Sequence, residues 1–216
     1  MEAVGDQERK IIVAGTGPAG LIAALMLAHH GHAVTLVGPL PEGRDRRTVA
    51  LMRPSLDAIG PLGVLDGLLP ETAPLRAMRL VDATGRLVRS PTVTFHAGEI
   101  GEDFFGLNIP NARLTEELSK TAKASPLIEW HESLVETWAC ESDHVIARLA
   151  NGVQLAAKLV VAADGRSSPA REAAAISAKT RALPQAALVL NFEHARQHGF
   201  VSTELHTTSG PCTQVP

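Results

Sequence analysis

The sequence predicts an α/β fold with a parallel sheet, an inserted β-meander and part of a second, mainly β region. Three observations carry that expectation. The apolar run Ile11-Ile12-Val13-Ala14 ends in Gly15-Thr16-Gly17-Pro18-Ala19-Gly20. A matching run, Leu159-Val160-Val161-Ala162, ends in Ala163-Asp164-Gly165. Between the two lie short alternating segments and the dipeptide Asn151-Gly152. Each apolar run reads as a strand buried on both faces that ends in a turn and enters a helix.

The first unit is the most specific. Gly15, Gly17 and Gly20 fit the G-x-G-x-x-G spacing. The first glycine permits a tight turn, the second lets the backbone approach a pyrophosphate, and the third lets helix and strand pack closely. Pro18 suits the first turn of the helix, whose free N–H groups point at the phosphates. Gly31 is placed to end that helix, after His29 and His30, which suit its negative end. A second strand follows over 33–37. The unit is Rossmann-like, a complete βαβ opening for a dinucleotide.

Such folds place an acid at the end of the second strand, roughly 20 residues on, to bind ribose hydroxyls. Here Gly38 and Pro39 stand there, and the nearest acids, Glu42 and Asp45, are already in the loop. Arg44, Arg46 and Arg47 crowd the same loop. The first motif therefore leaves two readings open: a 2′-phosphate and NADP, or FAD with a weakened ribose contact.

Residues 54–69 read as a short helix pair with glycine breaks. Two strands, 75–82 and 86–95, are expected about the turn Ala83-Thr84-Gly85. Residues 111–123 form an amphipathic helix, with Asn111 as its cap, Leu114, Leu118 and Ala122 on one face, and Glu116–Lys120 as an i,i+4 pair. Strands follow at 127–130 and 134–139. A hairpin then pairs 145–149 with 153–156 across Asn151-Gly152, read as a type I′ turn. Trp130 and Trp138 are assigned to this meander as core residues. In the last unit Ser168 can cap a helix whose first turn holds Pro169.

Composition narrows the function classes. With 216 residues, 45% of them hydrophobic, and a net charge of −3, the chain can enclose a sizeable core and lacks a basic balance for nucleic acid. Cys140 and Cys212 lack C-x-x-C spacing, so no zinc site or disulfide framework is expected, and a reducing cytoplasm is the default. His29, His30 and His32 cluster at a helix end rather than at metal-ligand spacing. Residues 11–28 carry no charge, yet glycines and a proline interrupt them, and residues 1–10 hold three acids and two bases. That pattern fits a buried strand and helix better than a membrane span or signal peptide.

At Asp164-Gly165 the sequence resembles the flavin-dependent aromatic hydroxylases of the p-hydroxybenzoate-hydroxylase fold. Within them it is most similar to the ubiquinone-biosynthesis hydroxylases. Ala162-Ala163-Asp164-Gly165-Arg166-Ser167-Ser168-Pro169-Ala170-Arg171 resembles that family's second motif, with Ala162 where the family has glycine. The resemblance extends to Arg47-Thr48-Val49-Ala50-Leu51, residues 106–118, and residues 185–216 with Ser209-Gly210-Pro211.

The resemblance implies FAD as cofactor and NAD(P)H as co-substrate. Reduced flavin and dioxygen would hydroxylate an electron-rich ring, a polyprenyl phenol on the way to ubiquinone. The implied cofactor-binding residues are Gly15, Gly17, Pro18, Ala19, Gly20, Arg47, Arg113, Val135, Asp164 and Gly165. The flavin carries the hard chemistry, so no catalytic side chain and no metal ligand is named. His96, His194 and His198 are expected to be surface histidines.

The implied division is an FAD-binding domain over 1–73 and 99–181, substrate-domain strands over 74–98, and the start of a substrate-domain sheet over 182–216. The family's third motif, a Gly-Asp pair, falls beyond residue 216. The chain is therefore expected to be an N-terminal portion with most of the FAD half-site, exposed sheet edges that favour self-association, and no turnover of its own. Its expected place is the cytoplasm, with peripheral association at the inner membrane face or with other enzymes. Two other classes compete: an NADP-binding reductase using Arg44 and Arg46, and a non-catalytic dinucleotide-fold remnant.

Overall fold

The computed structural model describes residues 11–43 and 45–216. Strand β1 (Ile11–Ala14) turns into helix α1 (Pro18–His29), and β2 (Val34–Val37) completes the opening unit. Next come β3 (Thr48–Met52), α2 (Arg53–Ile59), α3 (Leu65–Leu68) and β4 (Ala73–Leu75). A hairpin of β5 (Ala77–Ala83) and β6 (Val93–His96) precedes β7 (Gly106–Pro110) and α4 (Asn111–Ala124). Then follow β8 (Ile128–His131), β9 (Val135–Cys140), β10 (Val145–Leu149), β11 (Gln154–Ala157) and β12 (Leu159–Ala162). The remaining elements are α5 (Pro169–Ala173), β13 (Val201–Thr207) and β14 (Gly210–Gln214).

The centre is a four-stranded parallel sheet in the order β12-β1-β2-β8. Alternation along its strands splits the core in two. Val13, Val34 and Leu36 face α1 and α4, where they meet Leu21, Leu25, Leu114 and Leu118. Ile12 and Val37 face the meander and pack on Ala147, Leu149 and Ala157. The parallel sheet is thus sandwiched between helices and meander, which is why β1 and β2 are continuously apolar. The order β11-β10-β9 makes the meander a separate three-stranded sheet.

Two further sheets complete the fold. One, in the order β3-β7-β4, has no counterpart among the strands expected from the sequence. The other, β14-β13-β5-β6, joins residues from two distant stretches through parallel pairing of β13 with β5 from Val201↔Ala77 to Thr207↔Ala83.

Local chemistry explains the boundaries. At the end of α1 the His32 N–H donates to Leu27 and the Gly31 N–H to Ala28, a Schellman closure with Gly31 at φ +84°. Ser168 caps α5 by accepting from the Arg171 N–H at 3.0 Å.

Several expectations are corrected. The segment 86–95 is a strand only over its last part, from Val93. Asp82 instead organises the preceding loop by accepting from Thr84 and Ser90. Asn111 is the first residue of α4, not its cap. Pro110 holds the cap position, and the Asn111 amide is spent on Asp45 at 3.0 Å. Glu116 pairs with Arg113, and Lys120 pairs with Glu117 at 3.7 Å, so the predicted Glu116–Lys120 pair is replaced.

The turn at Asn151-Gly152 is not type I′. Only Gly152 has positive φ (+85°), and the Gly152 N–H donates to Leu149 while the Leu149 N–H donates to Val153. That is a three-residue loop closed by a glycine bulge. Trp130 lies on β8 in the parallel sheet rather than in the meander. β12 is an edge strand, with Leu159 52% exposed, rather than one buried on both faces. Within 186–216 the strands begin only at Val201.

Candidate functional site

The two turns recognised in the sequence meet at the carboxyl end of the parallel sheet. β1 and β12 are neighbours in register from Ile11↔Leu159 to Ala14↔Ala162, so the chains leave the sheet side by side. The Ala163 N–H donates to the Ala14 carbonyl at 2.7 Å, and the Gly15 N–H donates to Val37 at 2.8 Å. Gly15 has φ +112°, and a Cβ on it would lie 2.1 Å from the Ala163 oxygen and 3.0 Å from the Asp164 nitrogen. A Cβ on Gly20 would lie 1.9 Å from the Gly15 oxygen, which is the close helix–strand approach the third glycine allows.

Gly17 differs. Nothing lies within 4 Å of the position its Cβ would take, so this residue borders open space at the start of α1. Pro18 is the first residue of α1, and Ala19 follows it. The cradle suits a pyrophosphate: an uncovered backbone glycine at a helix N-terminus, at the carboxyl end of a parallel sheet.

Asp164 is half-buried and accepts from the Ala170 N–H at 3.1 Å, which closes the loop from β12 to α5. Gly165 follows at φ +90° with open space around its Cβ position. Ser168, buried beneath this loop, fixes the start of α5, and the Arg171 guanidinium donates to the Arg166 carbonyl at 3.0 Å. Two side-chain caps and one arginine therefore set the shape of the second turn.

The other sequence candidates make their bonds elsewhere. Arg47 forms a two-pronged pair with Asp45, Nε at 2.8 Å and Nη2 at 2.7 Å, while its carbonyl accepts from the Asn111 N–H at 2.9 Å. Asp45 also accepts from the Asn111 side chain at 3.0 Å. The Arg47 hydrogen bonds hold the Asp45 carboxyl well below its ordinary value, with Asn111 adding to the effect, and Asp45 in turn raises the Arg47 guanidinium.

Arg113 projects from α4 into three carboxylates, Glu71 at 2.8 Å, Glu117 at 3.5 Å and Glu116. Glu116 and then Glu71 raise its pKa. Val135 opens β9 and packs against the core beneath the meander-facing side of the parallel sheet. Arg44, one of the two arginines weighed for a 2′-phosphate, lies outside the described residues. The carbonyl of Arg46, the other, accepts from Asn191 at 2.9 Å.

Two residues of this corner were not singled out from the sequence. Thr16, between the first two glycines, is buried, and its hydroxyl donates to the Pro39 carbonyl at 2.6 Å. The Trp130 indole donates to the Gly38 carbonyl at 2.9 Å across 92 residues. The only sequence signal for either was the polar residue inside the glycine turn. Among the described residues no group of three or more His, Cys, Asp or Glu could hold a metal ion, and no helix is long and apolar enough to cross a membrane.

A glycine turn and an acidic turn in contact above a parallel sheet define a dinucleotide-binding α/β protein with two nucleotide motifs. Residues 8–212 match the family described as the FAD binding domain, and the chain belongs to that family.

Among characterised relatives, it is similar to the ubiquinone hydroxylase UbiL of Rhodospirillum rubrum, with 28% identity over 98% of this chain and 50% of that protein. It is likewise similar to 3-demethoxyubiquinol 3-hydroxylase of Escherichia coli, with 26% identity over 98% of this chain and 55% of that protein. The chain spans about half the length of these curated relatives. The tetracycline destructase Tet(55) shares the fold at TM-score 0.59 and 22% identity, over 96% of this chain and 52% of its own. So does p-nitrophenol 4-monooxygenase PnpA of Pseudomonas putida, at TM-score 0.61 and 22% identity over 76% and 42% of the two chains.

Proposed function

We propose that this chain is the FAD-holding part of a flavin-dependent monooxygenase that hydroxylates an aromatic, polyprenyl phenol-like substrate in ubiquinone biosynthesis, with NAD(P)H and dioxygen. The observation that carries the reading is the backbone contact of Gly15 with Ala163 and Asp164, which joins two nucleotide motifs into one cradle. The relatives named above support the substrate class.

When bound, FAD supplies hydride acceptance and dioxygen activation. The chain's residues bind and orient it. Gly15, Gly17 and Gly20, with the first residues of α1, Pro18 and Ala19, hold the pyrophosphate. Asp164 and Gly165 shape the wall opposite. Arg47 and Arg113 reach the flavin from the β3 and α4 side, each bringing its own carboxylate partners, and Val135 supports the floor.

We assign 1–73 and 99–181 to the FAD-binding domain and 74–98 with 182–216 to a substrate domain. The pairing of β5 with β13 supports grouping the last two. The exposed Leu188, Leu190 and Phe192 support association with a membrane face, a partner enzyme or a second copy.

The test is a flavin titration of the purified chain followed by absorbance and fluorescence. Saturable binding with a perturbed flavin band, weakened by Asp164→Ala, is expected. Retention of NADPH without FAD would favour a reductase, and retention of neither would leave a folded remnant.

A further inference from the structure

We propose that this chain holds the adenosine ribose of its dinucleotide without a carboxylate, so that the ribose 2′ position contributes little to selectivity. The inference rests on the FAD reading above and concerns one corner of that site. In dinucleotide folds an acid at the end of the second strand binds the ribose hydroxyls. β2 ends at Val37, and the next residue is Gly38.

The geometry goes further than a missing side chain, because the space is filled. A Cβ on Gly38 would stand 2.6 Å from Thr16 Cγ2 and 2.7 Å from Thr16 Oγ1, and the backbone there has φ +157°. Thr16 is only 7% exposed, and its hydroxyl proton is committed to the Pro39 carbonyl at 2.6 Å. The Gly38 N–H donates to the His131 carbonyl at 3.1 Å, and the Gly38 carbonyl accepts from the Trp130 indole at 2.9 Å. All of these bonds stay within the protein.

The acids near this corner are also engaged. Asp45 is held by Arg47 and Asn111. Glu129 lies 3.1 Å from the His131 ring, and Glu42 too has an interaction of its own. A carboxylate grip would make two demands on a ligand. It would reject a ribose lacking the 2′-hydroxyl, because a buried acceptor would be left unpaired, and it would repel a 2′-phosphate. A corner closed by Thr16 on Gly38 makes neither demand.

The experiment displaces FAD from the whole 216-residue chain and reads flavin fluorescence, with ADP, 2′-deoxy-ADP and 2′-phospho-ADP as competitors. The expected result is that both altered nucleotides compete within about fivefold of ADP, well short of the losses seen when a hydrogen-bonding site meets a ligand lacking its hydroxyl. A loss beyond about fivefold for either one, with FAD still bound, overturns the inference and leaves the flavin reading standing. A chain that binds neither FAD nor ADP removes both.

Discussion

Gly15 and Ala163 meet backbone to backbone: a Cβ on Gly15 would lie 2.1 Å from the Ala163 carbonyl oxygen. Residues 148 positions apart are thus held by a contact that only glycine allows, at φ +112°. The contact makes the turn after β1 and the turn after β12 a single structural unit. Loss at either turn should be felt at both.

Gly15→Ala should therefore damage fold and site together. Over-packing of this kind costs about 1–3 kcal/mol, and the displaced Ala163–Asp164 turn should also lower FAD affinity. Gly17→Ala is the contrasting variant, because nothing lies within 4 Å of its Cβ position. It should leave stability within about 0.5 kcal/mol of the parent. Its FAD affinity should still fall, by roughly tenfold, as the methyl group enters the path of the pyrophosphate. Thermal unfolding and flavin titration of both variants separate the two effects. Equal loss of stability in the two would contradict this account.

Asp164 and Ser168 each accept one backbone N–H at the start of α5, at 3.1 and 3.0 Å. Removing either acceptor should cost about 1 kcal/mol, as for other helix caps. The two should differ toward FAD if Asp164 also lines the cofactor site. Asp164→Ala should weaken binding by more than Ser168→Ala at matched stability. Identical titrations would reduce Asp164 to a structural cap.

The loop before β3 should loosen in acid. Asp45 has its pKa held well below the ordinary 3.8, first by the Arg47 side chain, then by the Arg47 N–H and Asn111. A depressed carboxylate contributes fully above its unfolded value and loses that contribution as pH falls toward the folded one. The Arg47–Asp45–Asn111 contacts should hence be intact at neutral pH and weaken from about pH 4 downward. NMR titration of the Asn111 side-chain amide would follow the change, and Asp45→Asn should abolish the shift. An amide signal that moves between pH 6 and 8 instead would point to another group.

Much of this was legible in the sequence because its signals are local and strong. Ile11–Ala14 with its glycines, the Gly31 stop and the Leu114/Leu118/Ala122 face each depend on spacing within one or two turns. The β3-β7-β4 sheet was not legible, because β3 and β7 pair across distant sequence and β4 is only three residues long. The Asn151-Gly152 dipeptide misled for a physical reason: a register with one more loop residue lets Asn151 keep negative φ and leaves only Gly152 in the left-handed region. At the candidate site the glycines and Asp164 could be read from motifs. The Thr16–Gly38 closure could not, since it depends on how β2 leaves the sheet.

The two tryptophans give a matched pair for the last prediction. Trp130 donates its indole N–H to the Gly38 carbonyl at 2.9 Å, whereas the buried Trp138 indole nitrogen has no hydrogen-bond partner among the described residues. The same change to phenylalanine removes a satisfied donor in one case and an unsatisfied one in the other. A hydrogen bond contributes about 1 kcal/mol net, and an unpaired buried donor costs about 1–3 kcal/mol. Trp130→Phe should therefore lower stability by about 1 kcal/mol and loosen the corner at Gly38. Trp138→Phe loses some packing but sheds an unmet donor, so its stability should be unchanged or higher by up to about 1 kcal/mol. Denaturant unfolding followed by circular dichroism measures both without relying on tryptophan emission. A clear loss for Trp138→Phe would mean that its indole packing against Ile12, Val37 and Ala147 outweighs the unpaired nitrogen.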